Sequence, residues 1–226
     1  MSPEERLREL RRRGYNYDPA RVDAYDWRVD DLRQPLPGEP AGPPAPGGSF
    51  ETARRLMLGY EFADPSIVHA DYDPQEPLEG RTMLLEIRFR GLLRVHVGTR
   101  VSSVYDERRD GAHVWGWAYR TLEGHLEQGQ MDWQVWKWLE TGAVEFRIHA
   151  YSRRAPDRNL ILRLGFRLFG RREQLAFLHS TLARMERLTS AALSGAPVDA
   201  QAEALTARRG LDTAPAHERL ARRAQR

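Results

Sequence analysis

Residues 116–138 read GWAYRTLEGHLEQGQMDWQVWKW, and this stretch decides the fold. Two runs that alternate large with small or polar residues flank a polar centre, TLEGHLEQG. The first run, extended upstream as HVWGWAYRTL, puts His113, Trp115, Trp117 and Tyr119 on one side and small residues on the other. The second, MDWQVWKWLE, carries Trp133, Trp136 and Trp138. A side-chain period of two is the period of a strand, and a glycine-bearing polar centre between two such runs is a turn. The stretch is therefore a hairpin.

Outward from the hairpin the same period continues. In RTMLLEIRFR, Leu85, Ile87 and Phe89 face one way and Glu86, Arg88 and Arg90 the other. LRVHVGTRVSSVYDE alternates through Leu93, Val95, Val97, Thr99 and Val101, and AVEFRIHAYS adds a run downstream. That makes at least five strands, joined by turns such as ERRDG and ETGA with no helix between them, which predicts an antiparallel sheet. From Asn159 to Leu193 the period becomes helical, with Leu175, Leu178, Leu182, Met185 and Leu188 in one stripe. Such a helix must bury its stripe, and the concave face of a curved sheet is the surface on offer.

The flanks divide the chain further. Residues 3–13 have helical character, with Leu7 and Leu10 three apart. Residues 33–48, RQPLPGEPAGPPAPGG, hold six prolines and four glycines and suit a linker or surface wrap, not a helix or a central strand. Ser49 reads as the N-cap of a helix to about Tyr60, and Asp64 before Pro65 as the start of a second short helix to about His69. The expected division is residues 1–48 as an N-terminal helix and Pro/Gly-rich segment, 49–193 as the main α+β domain, and 194–226 as an Arg/Ala-rich flexible tail.

Composition excludes several function classes. The 226 residues contain no cysteine, so disulfides, thiolate nucleophiles and cysteine metal sites are out. No apolar run approaches the roughly 18 residues of a membrane span, and the charged N-terminus is not a secretory signal, so a cytoplasmic location is expected. The net charge is +3, and Lys137 is the sole lysine. The arginine excess suits oxyanion recognition; with the abundant Ala, Gly and Pro it also fits a GC-rich coding sequence. The histidines lack metal-ligand spacing, and no P-loop, dinucleotide fingerprint or nucleophile elbow appears, so neither a metal nor a cofactor is expected.

The segments FETARRLML, RVSSVYDE, GWAYRTLEGHLEQGQ and VEFRIHAYSR, followed by the closing helix, resemble the domain-of-unknown-function family nineteen-ninety over roughly residues 49–190. The element order resembles the helix-grip arrangement of the START and Bet v 1-like superfamily. The most specific motif is the turn Tyr119, Thr121, Leu122, Gly124 and His125, supported by Ser152 and Arg153 after the last strand. Where that family usually has Gly, Pro and Glu, this chain has Arg120, Leu126 and Gln130. If the glutamate serves relatives as an acid or base, glutamine here does not replace it. The resemblance implies a fold with a cavity between sheet and long helix, and no particular reaction.

Such a cavity is mostly apolar with a few polar groups that orient the ligand. Candidate ligand-binding residues are Trp115, Trp117, Trp133 and Phe146, with Arg147 or His149 as a polar anchor; the tryptophans serve equally as plain core. His125 has two readings. It is a turn residue bonded to a backbone carbonyl across the hairpin, with Gly124 and Gly129 supplying turn geometry. Or it is a catalytic base at the cavity mouth, oriented by Glu123 or Glu127, with Tyr119 as hydrogen-bond donor.

The leading expectation is a carrier of a small apolar or aromatic ligand. The first alternative is a cyclase- or isomerase-type enzyme using the same cavity. The second is an interaction module that meets a partner or nucleic acid through the Pro-rich segment and the Arg-rich ends, and a separate basic patch of Arg163, Arg167, Arg171 and Arg172 at the start of the long helix suits a phosphate or an anionic surface. The oligomeric state is not encoded in any pattern read here.

Overall fold

The computed structural model describes residues 2–23, 26–89, 93–155 and 160–195. Its elements are α1 (Pro3–Arg11), β1 (Arg28–Leu36), α2 (Ser49–Leu58), β2 (Val68–Tyr72), β3 (Thr82–Phe89), β4 (Leu93–Arg109), β5 (Ala112–Thr121), β6 (Glu127–Trp138), β7 (Val144–Arg154) and α3 (Leu160–Ser194). The seven strands form one antiparallel sheet in the order β1-β7-β6-β5-β4-β3-β2. The sheet curls around α3, which buries Phe177, Leu178, Leu182, Met185 and Leu188 against its inner face. This is the α+β helix-grip fold. The expected tail lies outside the described residues from 196 on, as do the side chains of Arg163 and Arg167.

Strand alternation sorts the side chains cleanly. On β5 the inward set is Trp115, Trp117, Tyr119 and Thr121; on β6 it is Met131, Trp133, Val135 and Lys137; on β7 it is Phe146, Ile148, Ala150 and Ser152. Outward on the same strands lies a small second cluster of Ala112, Val114 and Trp136, flanked by Tyr105 and Trp138. The Arg147 guanidinium covers it, 4.0 Å from the Trp136 ring centre, and Arg109 joins at 4.7 Å. The tryptophans of the opening stretch thus serve two faces.

Two elements depart from the expected layout. The breaker-rich segment begins inside β1, which carries Pro35 opposite Glu145 of β7. As β1 is an edge strand, a residue without an N–H is accommodated there. Residues 33–36 of the segment are thus built into the sheet, and residues 37–48 lead from it to α2. The Asp64-Pro65 signal yields a single turn, in which the Asp64 carbonyl accepts from Ile67 and Val68, both at 2.9 Å. A second short helix is not formed, because residues from Val68 onward pair with β3 instead.

Ser49 is also not the cap of α2. That position belongs to Gly48, and Ser49 is the first helical residue. The capping acceptor is remote: Glu39 takes the Phe50 N–H at 2.8 Å and the Ala45 N–H at 2.9 Å. The Glu39 carboxylate in turn lies 3.2 Å from Lys137 Nζ, which also donates to the Pro40 carbonyl at 2.8 Å. The sole lysine is completely buried, and its pair with Glu39 fastens the Pro/Gly segment over the β6–β7 end of the sheet.

At the other edge, α1 begins with a Ser2–Glu5 capping box and packs on the outer face of the sheet. A side chain at position 98 would meet the Leu10 methyl groups and make Leu10 shift, so Gly98 suits this close approach. The Arg100 guanidinium completes the helix end by donating to the carbonyls of Leu10, Arg11 and Arg13 at 3.0–3.1 Å.

Candidate ligand-binding cavity

The hairpin that begins the sequence argument also builds the site. The His125 N–H donates to the Leu122 carbonyl at 3.0 Å, and Gly124 has φ +83°. A left-handed third position in a four-residue turn is one that glycine takes without steric cost. Thr121 ties the two strands: its hydroxyl donates to Asn16 Oδ1 at 2.6 Å and accepts the Gly129 N–H at 3.0 Å. Asn16 also donates to the Glu127 carbonyl at 2.9 Å, so the segment after α1 clamps the hairpin. Gly129 sits within β6, not the turn; a side chain there would come within 2.5 Å of the Tyr151 carbonyl.

The His125 ring is fixed by backbone. Ala155 N–H donates to the Leu126 carbonyl at 3.1 Å, so Glu127 and Arg154 form a non-hydrogen-bonded pair and the Glu127 backbone groups point away from β7. They meet His125 Nδ1, which lies 3.0 Å from both the Glu127 N–H and its carbonyl oxygen. The carbonyl already accepts from Asn16, whereas the N–H needs an acceptor. The arrangement that satisfies both groups has Nδ1 accepting and the proton on Nε2. Burial lowers the imidazole pKa from 6.5 to about 4, against the opposing effect of the Glu127 backbone contact. His125 is thus a neutral side chain at physiological pH, and its conjugate acid lies below the range that suits a general base.

Beside this turn, between β3, β5, β6, β7 and α3, lies a cavity of about 130 Å³. Its apolar wall includes Leu85, Ile87, Met131, Ala150 and Phe177, and its polar groups include Tyr119, His125, Glu127, Gln174 and Ser152. Gln174 Nε2 donates to Ser152 Oγ at 3.2 Å, which joins α3 to β7 at the rim. Burial holds the Tyr119 phenol well above its ordinary pKa, so it remains a donor, and its hydroxyl lies 3.5 Å from Met131 Sδ. Glu127 lines the same space, and its carboxyl is largely buried. Burial pushes that carboxyl above 4.5, and Arg28, Arg171 and Arg154 restrain the rise.

The sequence-nominated residues separate into three groups. Tyr119 and His125 line the cavity. Trp115, Trp117, Trp133 and Phe146 do not; they are the packed core behind it. Trp133 stacks on Phe146 with centroids 6.2 Å apart and planes 3° apart, and Phe62 closes on Trp133 at 4.7 Å. Arg147 and His149 lie on the outer face, because they alternate with Phe146 and Ile148. Arg147 pairs with Glu145 at 2.9 Å, and His149 Nδ1 with Asp31 at 2.6 Å. Neither is a cavity anchor.

Of the two carboxylates considered as ring orienters, Glu127 acts through its backbone, while Glu123 turns to the Gly14 side. Lining residues that sequence reasoning missed as ligand contacts include Leu85, Met131, Phe177 and Glu127. Arg171 pairs with Asp30 through two bonds of 2.5 and 2.6 Å. Among the described residues no group of three or more His, Asp or Glu could hold a metal ion, and no helix is long and apolar enough to cross a membrane.

Solved structures similar in fold include Ara h 8.0201 (7% identity, 74% of this chain and 99% of that one, TM-score 0.44). The di-domain ARO/CYC StfQ from the steffimycin pathway gives 12% identity over 72% of this chain and 51% of that one, with TM-score 0.43. Major latex-like protein 151 from Panax ginseng gives 11% over 71% and 96%, with TM-score 0.40. No curated protein matches the sequence. One family model does, over residues 12–184, which extends the resemblance through the N-terminal clamp and β1. The chain belongs to the DUF1990 family, a domain of unknown function.

Proposed function

We propose that the protein binds a small, mostly apolar molecule in the cavity between the sheet and α3. The observation that carries this reading is a cavity of about 130 Å³ left open beside a core that is otherwise filled with aromatic rings. An apolar cavity of about 150 Å³ accommodates benzene, so the ligand is of single-ring size. Leu85, Ile87, Met131 and Phe177 supply the apolar contact, and Tyr119 supplies a hydrogen-bond donor at the wall.

The reading with His125 as a general base has less support. Its ring is held by the Glu127 backbone, and its pKa of about 4 makes it a weak base. The basic patch on α3 that would serve an anionic surface includes Arg171, which is already neutralised by Asp30.

Thermal unfolding in a panel of single-ring compounds tests the binding reading. A ligand that binds only the folded state raises Tm with concentration. The expected result is a shift for at least one compound that disappears in Ala150→Phe, which fills the cavity. Absence of any shift, or a shift that survives the filling variant, contradicts the proposal.

A further inference from the structure

Two phenols specify the ligand further, and this step rests on the binding reading just given. Tyr119 lines the cavity, and among the described residues the acceptor its hydroxyl reaches is the Met131 thioether at 3.5 Å, a weak one. Tyr60 shares its surroundings: Trp117 and Trp133 pack on both phenols, with ring centroids 6.0–6.4 Å apart. The Tyr60 hydroxyl is buried and has no hydrogen-bond partner among the described residues. Its backbone holds φ +55° at the end of α2, a left-handed position where helices usually carry glycine. Packing needs these two rings but not their oxygens, because phenylalanine fills the same space without burying a hydroxyl that lacks a good acceptor.

The phenols also act on one another. Burial, and then Tyr119, hold Tyr60 well above its ordinary pKa, whereas Tyr60 lowers Tyr119 against the larger effect of burial. That is the sense of a Tyr60 hydroxyl directed at the Tyr119 oxygen, although the bond is not closed, and it leaves the Tyr119 proton for the cavity. Glu127 raises the Tyr119 pKa further, so negative charge is disfavoured at this point of the wall.

We propose that the ligand carries an uncharged oxygen acceptor, a ketone-like carbonyl, that takes a hydrogen bond from Tyr119, with Tyr60 positioning the Tyr119 hydroxyl by donating to its oxygen. One ligand oxygen then satisfies both phenols in series. A protonated amine offers no acceptor, and a hydrocarbon leaves both hydroxyls as they are. An anion meets the burial and the Glu127 charge that already disfavour a phenolate there.

Calorimetric titration with acetophenone and with cumene, in which a methyl group stands where the ketone has oxygen, tests this. In Tyr119→Phe, acetophenone affinity is expected to fall roughly five- to hundredfold, the effect of leaving a buried acceptor unpaired, while cumene affinity holds. In Tyr60→Phe the fall is about two- to tenfold. The infrared carbonyl stretch of bound acetophenone is a readout that a merely structural role would not move. It is expected below its frequency in hexane, to return to the hexane value in Tyr119→Phe, and to lie between the two in Tyr60→Phe.

Equal losses for acetophenone and cumene in Tyr119→Phe, no loss for acetophenone, or a stretch at the hexane value in the unaltered protein each overturns the acceptor inference and leaves the cavity reading standing. A Tyr60→Phe variant that matches the unaltered protein in both readouts overturns the positioning role. Failure of both probes to bind overturns the acceptor inference and the cavity reading together.

Discussion

Toward the β6–β7 turn, the space between sheet and helix is filled by Trp133, Phe146, Phe62 and Tyr60, whose ring centroids lie 4.7–6.4 Å apart. Toward the β5–β6 turn, the same sheet and the same helix leave about 130 Å³ open, although the strands are continuous from one region to the other. Phe177 stands at the boundary: it lines the cavity and packs edge-on to Trp133 at 6.4 Å. The difference lies in side-chain size at inward positions. Moving along β6 from Trp133 toward the turn, the inward residues shrink to Met131 and Gly129, and along β7 from Phe146 and Ile148 to Ala150 and Ser152. The fold supplies a place for a cavity, and these few positions decide where it opens.

The closed end also has a polar seal that the open end lacks. Lys137 and Glu39 are buried together, and Glu39 carries the first turn of α2 and the Pro/Gly segment as well. Lys137→Ala leaves that carboxylate buried without its cation. It is expected to cost about 3–5 kcal/mol, read as a lowered midpoint in urea. Lys137→Met with Glu39→Gln should recover part of the loss, because no unpaired charge remains. If the single variant loses less than about 1 kcal/mol, the end of the sheet is not sealed by this pair.

Trp133→Ala removes the centre of the filled region and is expected to cost about 3–5 kcal/mol in the same assay.

The next effect is on pH dependence and belongs to the open end. His125 is depressed to about 4 in the folded protein against 6.5 when unfolded. Between these values the unfolded state binds the extra proton. Stability from this residue is therefore complete above about pH 6.5, falls as pH drops toward 4, and is flat below. The full change is about 3 kcal/mol at most. Glu127 acts in the opposite sense: its raised pKa favours the folded state at low pH, an advantage lost as pH rises through the folded value. In His125→Asn the amide oxygen keeps an acceptor for the Glu127 N–H, so the fold should persist while the loss between pH 6.5 and 4 diminishes. Equal pH slopes in the two proteins would contradict the burial of a neutral ring.

A smaller effect should change sign between the two regions. Ala53 is fully buried on α2, where Ala53→Leu overpacks the core and is expected to cost about 1–3 kcal/mol. Ala150 faces the cavity, and Ala150→Leu places its new methyl groups in open space, with a cost near zero or a small gain. Equal losses at both positions would remove the distinction.

Much of the distinction was legible in the sequence. The five long strands follow from alternation alone, and the Leu175–Leu188 stripe of α3 faces inward as its spacing requires. Parity also settles more than was drawn from it. If Phe146 is inside, Arg147 and His149 are outside; if Trp133 is inside, so are Met131, Gly129 and Glu127 at successive steps of two. Glu127 is thus three steps of two from Trp133, and Met131 only one.

Other features have no local signal. β1 hides in a proline-bearing run because edge pairing tolerates proline. The cap of α2 comes from Glu39, across a loop that periodicity does not describe. Whether a stripe of tryptophans fills its space or lines it depends on what faces it from Phe62 and α3, a tertiary fact.

The most direct test of the account is a crystal structure of the protein soaked with toluene. The account predicts one bound ring between Met131, Ala150 and Phe177, with the Trp133–Phe146 stack unmoved. A ring found among Trp117, Trp133 and Phe146, or no bound ring at saturating toluene, would contradict it.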